Sequence, residues 1–429
     1  MKQRLAIVEG IRTPMAPAGK GLEAWEADDL AVFPVREVLA RTGMDPEEFD
    51  EVIFGNVAQP SHAANVSRVI ALKAGFPDTV PAYTVARNCA SGMQSVTDAA
   101  EKINSGAGTV FLVGGTESMS NIPFLFSDEM KAFFIRLMKS KNFLGKLKTL
   151  FGFKLRYLKP QIAVTQGLTD PVSGLIMGET AEVLARDYHI PREKQDEFAL
   201  LSHERALEAI RKGVLQEEIV PIPAEQGSGD MVEIDKGPRE GLTMEKLGKL
   251  KPYFDPRNGT VTVGNSCPVT DGATALIVMS EKEAGKRGFE PLGYLKEYAY
   301  ASLDPARMGL GPVYAVAALL DKTGAKMSDF ERIELNEAFA AQVIANEIVF
   351  PSADFARKNL NRDKPVGELD REIMNVNGGA VALGHPVGET GSRLVLTLLK
   401  ELRRSNKNTG LATLCVGGGQ GAALLLEVS

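Results

Sequence analysis

Two similar halves, each a strand–turn–helix–strand unit of layered α/β type, are what this sequence predicts, and three observations carry the prediction. A strand-and-loop run at residues 50–57 is repeated in pattern at residues 330–337, about 280 positions later. Each copy is followed, in the same order, by a special turn, a helix-like run, a strand and a glycine turn. Between the copies, residues 120–250 differ in character and read as an insertion within the first half.

Taken in order, Met1-Lys2-Gln3-Arg4 runs directly into Leu5-Ala6-Ile7-Val8, a first strand, which leaves no room for a signal or transit peptide. The first unit then reads strand 50–57, polar turn Asn88–Gly92, helix 93–104, strand 109–113 and glycine turn Gly114-Gly115. The insertion has two parts. Residues 121–160 hold nine Lys/Arg against two Asp/Glu, interleaved with Phe124, Phe126, Phe133, Phe134, Phe143, Phe151 and Phe153. Residues 178–212 show the charge-laced periodicity of helices with one face in water, with a helix start at Pro191. Strand composition resumes at Gly259-Thr260-Val261-Thr262-Val263. The second unit reads strand 330–337, glycine-rich turn 378–391, helix 392–404, strand 411–414, turn Gly417-Gly418-Gly419 and a last strand at 422–428. The boundaries that follow are 1–120 with 251–285 for the first half, 121–250 for the inserted loop domain, and 286–429 for the second half.

Composition narrows the function. A chain of 429 residues with 44% hydrophobic side chains can bury a large core, and a net charge of −6 argues against nucleic-acid binding. Cys89, Cys267 and Cys415 are too few and too scattered for a disulfide framework and form no C-x-x-C pair for zinc. No run approaches 18 uninterrupted apolar residues, so nothing reads as a membrane span. The expectation is a soluble protein of the reducing cytoplasm.

Cys89 stands in Arg87-Asn88-Cys89-Ala90-Ser91-Gly92, at a strand-to-helix junction where unpaired backbone N–H groups and the helix dipole favour an anion. Such a thiol is expected to have a lowered pKa and to act as a nucleophile; a cysteine filling a buried gap is the ordinary alternative. Among the four histidines, His189 and His203 lie in the charged helical stretch and read as solvated, and His62 reads as a surface loop residue. His385 differs: Gly378, Gly379, Gly384, Gly388 and Gly391 surround it, so backbone can approach a ligand closely around one imidazole. Cys415 precedes Gly417-Gly418-Gly419-Gln420-Gly421. That run is no dinucleotide fingerprint, because only eight residues follow Gly421 and they read as a strand. Read as an anion-binding loop, it lets Gly417 offer a backbone N–H to an oxyanion beside a second cysteine.

Four motifs, Asn88-Cys89-Ala90-Ser91-Gly92, Asn336-Glu337-Ala338-Phe339, Gly384-His385-Pro386-Val387-Gly388 and Cys415-Val416-Gly417-Gly418, occur in the order and approximate spacing of the thiolase family. The resemblance runs from Ile7 to Val428, and Gly114–Ser120 and Asp271-Gly272-Ala273 add to it. It implies the thiolase fold: two βαβαβαββ halves stacked as five layers, with an inserted loop domain. It also implies roles. Cys89, activated by His385, resembles the acyl-carrying nucleophile; Cys415 resembles the acid/base at the α-carbon of acetyl-CoA. The enolate oxygen would be held by His385 and a water on Asn336, and the C3 oxyanion by the N–H groups of Cys89 and Gly417, each such donor being worth roughly 3–4 kcal/mol of barrier. Met177, Arg239, Cys267, Ala338 and Phe339 are the implied coenzyme A contacts. No metal, and no cofactor beyond coenzyme A as substrate, is implied.

Within the family the basic-aromatic insertion is similar to that of the degradative thiolase subunit of fatty-acid oxidation trifunctional complexes, as are Lys249–Phe254 and Pro291–Tyr294. There it is associated with membrane attachment or docking onto a hydratase–dehydrogenase subunit; the plainer alternative is a lid helix with one face on the core. Two departures stand out. That branch commonly has histidine where Asn336 stands, and Cys267 occupies a place where many thiolases have serine or threonine. Condensing enzymes of fatty-acid synthesis resemble the chain less, since they lack the Cys415 motif. The expectation is a 3-ketoacyl-CoA thiolase of β-oxidation, a homodimer or homotetramer; the alternatives are a short-chain acetyl-CoA acetyltransferase and a non-catalytic scaffold, which would have no use for Cys89, Asn336, His385 and Cys415 together.

Overall fold

A computed structural model describes residues 4–429. Met1, Lys2 and Gln3, with the expectation of a start that has no leader, lie outside the described residues. The strands are β1 (Leu5–Arg12), β2 (Glu51–Gly55), β3 (Ala82–Val85), β4 (Val110–Glu117), β5 (Thr270–Ser280), β6 (Gly293–Ser302), β7 (Arg332–Leu335), β8 (Thr409–Val416) and β9 (Gln420–Glu427). With the short strand Ala16–Pro17 they make one sheet of ten strands among the described residues, in the order β7-β8-β9-β6-β1-β5-β4-β2-β3. The residues 118–269 run between two strands, β4 and β5, that are neighbours in the sheet.

Strand pairing shows the doubling. β2 and β4 are parallel, β4 and β5 antiparallel, β5 and β1 antiparallel. β7, β8, β9 and β6 repeat those senses in that order. The halves join through an antiparallel β1–β6 contact centred on Ala6 and Tyr294. The fifth strand of the first half, β3, has only a remnant counterpart: a parallel bridge between Ile333 and Met374. Register then equates single residues. Gly55 pairs with Gly115, and Leu335 with Thr413. One step along, Asn56 corresponds to Asn336; two steps along, Glu117 corresponds to Cys415.

The helices that matter are α1 (Ala27–Thr42), α2 (Val66–Ala74), α3 (Ser91–Ser105), α4 (Met177–Asp187), α5 (Arg192–Arg211), α6 (Gly311–Thr323), α7 (Ala340–Val349) and α8 (Thr390–Arg404). Because side chains alternate across a strand, β1 sends Ala6 and Val8 into a core with Leu30 of α1 and Ile70 of α2. Leu5 and Ile7 go to the opposite side, into a core with Met93 and Val96 of α3 and Leu394 and Leu398 of α8. That central core also receives Leu414 of β8 and Leu424 of β9, while Leu411 and Leu425 face Val313 of α6 and Val343 of α7. The order is therefore outer helices, sheet, central α3 and α8, sheet, outer helices.

The two central helices meet at their first turns through glycine. A Cβ on Gly92 would lie 2.5 Å from the Ser392 nitrogen, and one on Gly391 would lie 2.3 Å from the Met93 nitrogen. Only glycine admits this approach from either side, and it draws together the loops that precede the helices.

Two local expectations fail. Gly114-Gly115 is not a turn but the interior of β4, paired with Ala275 and Thr274; a Cβ there would strike the Thr274 and Gly388 carbonyl oxygens. Residues 259–263 form no strand, because side chains take their backbone donors. The Glu182 carboxylate accepts Thr260 N–H (2.9 Å) and Val261 N–H (2.8 Å), and Asn265 Oδ1 accepts Thr262 N–H (2.7 Å).

Residues 122–169 are a second compact unit. The strand pair Phe124–Leu125 and Gln161–Ile162 closes its base. Its helices, Asp128–Lys139 and Phe143–Phe151, are capped by Ser127 and Asn142. The first helix buries Met130 and Phe133 against Tyr157, with Leu137 and Phe153 alongside. The second buries nothing. Its Phe143, Leu144, Leu147, Leu150 and Phe151 recur at the spacing of one helical face, and Phe143 and Phe151 are 78% and 84% exposed. The reading in which these helices lay an apolar face on a core fits the first helix and not the second. No helix among the described residues is long and apolar enough to cross a membrane.

Candidate active site

The turn between β3 and α3 is built to present Cys89. The Ser91 hydroxyl donates to Asn88 O (2.7 Å) and accepts Arg87 N–H (2.9 Å), closing the turn. Asn88 takes the left-handed conformation (φ 43°) that Asn tolerates better than most residues. Its Nδ2 donates to Gly417 O (2.8 Å), and the Gly417 N–H points at the Cys89 sulfur. Arg87 lies over the Tyr300 ring and donates to Gln94 Oε1 (2.6 Å) and Gln420 Oε1 (3.0 Å). The Cys89 turn is thus tied to both flanks of the β8–β9 hairpin, where Gly418 and Gly419 have positive φ.

His385 is held by two threonines. Its backbone N–H donates to Thr270 Oγ1 (3.2 Å), and its Nδ1 lies 2.6 Å from Thr390 Oγ1. The Thr390 hydroxyl gives its proton to Pro386 O (2.8 Å), so toward the ring it accepts. The proton of the neutral imidazole therefore sits on Nδ1, and Nε2 carries the free lone pair. Nε2 has no partner among the described residues, nor have Oδ1 and Nδ2 of the fully buried Asn336. Unpaired buried polar atoms are costly, and each calls for an explanation.

Cys415, next to last in β8, is fully buried in one apolar cluster with Ala338, Phe339, Met177 and Phe254. The Cys267 N–H donates to Ala338 O (3.0 Å), and Ser266 bridges to Phe339. The Met177 sulfur stands 3.3 Å from where a Cβ on Gly417 would be. Cys89, Gly417, Cys415, Cys267, Met177, Ala338 and Phe339 are thereby brought together, and Thr270, which donates to Pro268 O (2.7 Å), links His385 to the Cys267 segment. Arg239 is not part of this group: its side chain is exposed, and its backbone N–H donates to His203 Nδ1 (3.2 Å).

Burial sets the charge states. The Cys89 thiol is pushed up by desolvation, which outweighs the Gly417 and Cys89 N–H groups, so the expected lowered pKa is corrected. Burial pushes Cys267 up to about 12 and Cys415 well above the ordinary thiol value. It pushes His385 down to about 3, with the Arg393 charge assisting. The resting pair is a thiol and a neutral imidazole. His203 is a second correction. It is 2% exposed, not solvated, and burial lowers it to about 4, because α5 turns a stripe of mixed polarity inward. His189 is exposed, as expected; so is His62, which meets Asp28 (3.1 Å).

Sequence reasoning passed over Asn88, Thr270 and Thr390. Thr390 lies inside the glycine motif and at the first position of α8, which was the available signal.

A doubled sheet around two central helices, with thiols at the mouth of the first helix and an imidazole at the mouth of the second, defines the thiolase-fold class. The family description "Thiolase, N-terminal domain" matches residues 5–282, and "Thiolase, C-terminal domain" matches residues 289–428. The chain belongs to the thiolase family. It is 41% identical over 426 residues to a 3-ketoacyl-CoA thiolase of Yersinia enterocolitica, covering 99% of this chain and 97% of the relative. Among solved structures, the acetyl-CoA acetyltransferase of Bacillus anthracis is similar at 39% identity and TM-score 0.86, over 99% of this chain and 98% of that one. Human mitochondrial 3-ketoacyl-CoA thiolase in complex with CoA is similar at 35% identity and TM-score 0.85, over 100% and 98%.

Proposed function

We propose that this protein cleaves 3-ketoacyl-CoA with coenzyme A, giving acetyl-CoA and a shortened acyl-CoA, in fatty-acid β-oxidation. The observation that supports it most is the assigned tautomer of His385, whose free Nε2 faces no protein donor. In this reading Nε2 takes the Cys89 proton as the sulfur attacks C3, and the C3 oxygen gathers charge between the N–H groups of Cys89 and Gly417. The C2–C3 bond breaks, its electrons passing into the enolate of acetyl-CoA, whose oxygen is held by His385 and a water on Asn336. Cys415 gives its proton to C2, and acetyl-CoA leaves. The resulting Cys415 thiolate takes the proton of the incoming coenzyme A thiol, which attacks the acyl-Cys89 carbonyl. Acyl-CoA departs, and Cys89 recovers its proton from His385. Every proton is returned, and no metal takes part. Met177, Cys267, Ala338 and Phe339 line the thioester end of the coenzyme, and Arg239 takes its charged end.

The test is thiolysis of acetoacetyl-CoA and 3-ketohexadecanoyl-CoA by the wild type and Cys89→Ala. Activity on both, lost in the variant, supports the reading. Activity on acetoacetyl-CoA alone moves the assignment to a short-chain acetyl-CoA acetyltransferase, the reading the Bacillus anthracis neighbour favours. Two further features belong here. The edge strand β3 leaves Ala82–Val85 half-exposed, beside a hollow of about 410 Å³ lined by Val85, Arg87 and Gln94, which suits pairing with a second copy of the chain. The bare apolar face of Phe143–Phe151, within a segment of nine basic and two acidic residues, suits an anionic lipid surface.

A further inference from the structure

Two buried carboxylates outside the reaction hold the His385 loop from opposite ends. Glu117, at the end of β4, accepts Asn56 Nδ2 and Ala58 N–H on one oxygen (both 2.9 Å). Its other oxygen accepts Val57 N–H (3.2 Å) and, across the half boundary, Gly388 N–H (2.8 Å). Glu337, next to Asn336, accepts Ser202 Oγ (2.6 Å) and Val381 N–H (3.2 Å) on one oxygen and Asn375 Nδ2 (2.8 Å) on the other. Gly379 is pressed against that carboxyl so closely that a Cβ would come within 2.2 Å of it. His385 lies in the chain between Val381 and Gly388.

Each carboxylate is 1% exposed and serves donors with both oxygens. An amide in either place would turn an NH2 group toward N–H donors, losing one acceptor and adding a repulsion. The outermost peptides of the His385 loop are therefore anchored on carboxyl oxygens, one group from each half of the molecule, whereas among the described residues the ring itself is held by Thr390 alone.

We infer that Glu117 and Glu337 are positioning residues that fix where the His385 imidazole stands, acting through the backbone and touching no substrate. This rests on the reading of His385 as the base. A shift of about 1 Å in a reacting group is enough to cost about 100-fold in rate, whereas coenzyme A contacts made by other elements would be unaffected.

The experiment is steady-state thiolysis of acetoacetyl-CoA by the full chain, wild type against Glu117→Gln and Glu337→Gln, with kcat and KM for coenzyme A measured separately. The expected result is kcat lowered about 10–100-fold in each variant with KM within about twofold. Wild-type activity with kcat unchanged in both variants overturns the inference. So does a raised KM with unchanged kcat, which would place the carboxylates at the coenzyme site. An inactive wild type overturns the reading of the base itself and the inference with it. Asn56→Ala and Ser202→Ala remove one donor each and leave the carboxylates; they carry the same kcat-against-KM test at smaller amplitude where a glutamine variant does not fold.

Discussion

Thr390 decides which nitrogen of His385 carries the proton, and it does so with one hydroxyl already committed to Pro386 O. Thr390→Val keeps the shape and removes the acceptor, so the ring loses its preferred tautomer. We expect kcat for acetoacetyl-CoA thiolysis to fall by up to about 100-fold; an unchanged kcat would show that Thr390 does not select the lone pair. The thiol makes a prediction of its own. A raised pKa keeps Cys89 protonated at neutral pH, and the thiolate appears only as pH climbs through the raised value, above the ordinary 9.0. Iodoacetamide labelling of Cys89, followed on its peptide, is expected to be still accelerating at pH 9. A plateau below pH 8 would mean that the resting state is a thiolate–imidazolium pair.

At the scale of elements, the crossing of α3 and α8 is the feature with least tolerance. Gly92→Ala puts a methyl carbon 2.5 Å from the Ser392 nitrogen and 2.8 Å from the Glu389 oxygen, both backbone atoms. Overpacking against atoms that cannot swing aside costs about 1–3 kcal/mol or more, to be read as a lowered urea midpoint, with thiolysis falling as well because the loops of Cys89 and His385 separate. An unshifted midpoint would show that the helices are free to part. The glycine content of these turns was legible in the sequence, and it pointed to His385. The partner of each glycine was not, since a contact between residues 92 and 392 leaves no local pattern. For the same reason Gly114-Gly115 read as a turn: its lack of side chains answers to Thr274 and Gly388, far along the chain. His203 misled differently. The inward stripe of α5 includes Gln195, Asp196, Ser202 and His203, so polarity does not mark its buried face.

On the scale of the whole molecule, the doubled sheet shows how one frame carries unequal halves. The Asn56–Glu117 pair is bonded side chain to side chain, whereas Asn336, at the corresponding place, makes no such bond beside Cys415. The same two positions serve as a brace in one half and as candidate chemistry in the other. Repeated strands revealed the duplication in the sequence, yet the correspondence of Glu117 with Cys415 depends on strand register. The unit of residues 122–169 carries a separate role: deletion of residues 125–157 is expected to leave short-substrate thiolysis largely intact and abolish co-sedimentation with anionic vesicles, to which each basic residue contributes about 1 kcal/mol. Unchanged vesicle binding would remove the lipid reading, and binding to a hydratase–dehydrogenase subunit alone would reassign the face to a protein. Sedimentation without lipid should show a two-chain particle held through β3; a single-chain particle would contradict that pairing.

The position of β1 at the centre of the sheet has a consequence for how the chain is made. β1 leaves the ribosome long before the strands bonded on its two sides, β5 and β6, which end at Ser280 and Ser302. At about 5–20 residues per second, β1 waits on the order of tens of seconds for its neighbours. During that time Leu5, Ala6, Ile7 and Ile11, all destined for full burial, have nowhere native to go. A strand at the centre of the finished sheet is thus an aggregation hazard during synthesis, and a chaperone that holds Leu5–Arg12 would act where native pairing comes late.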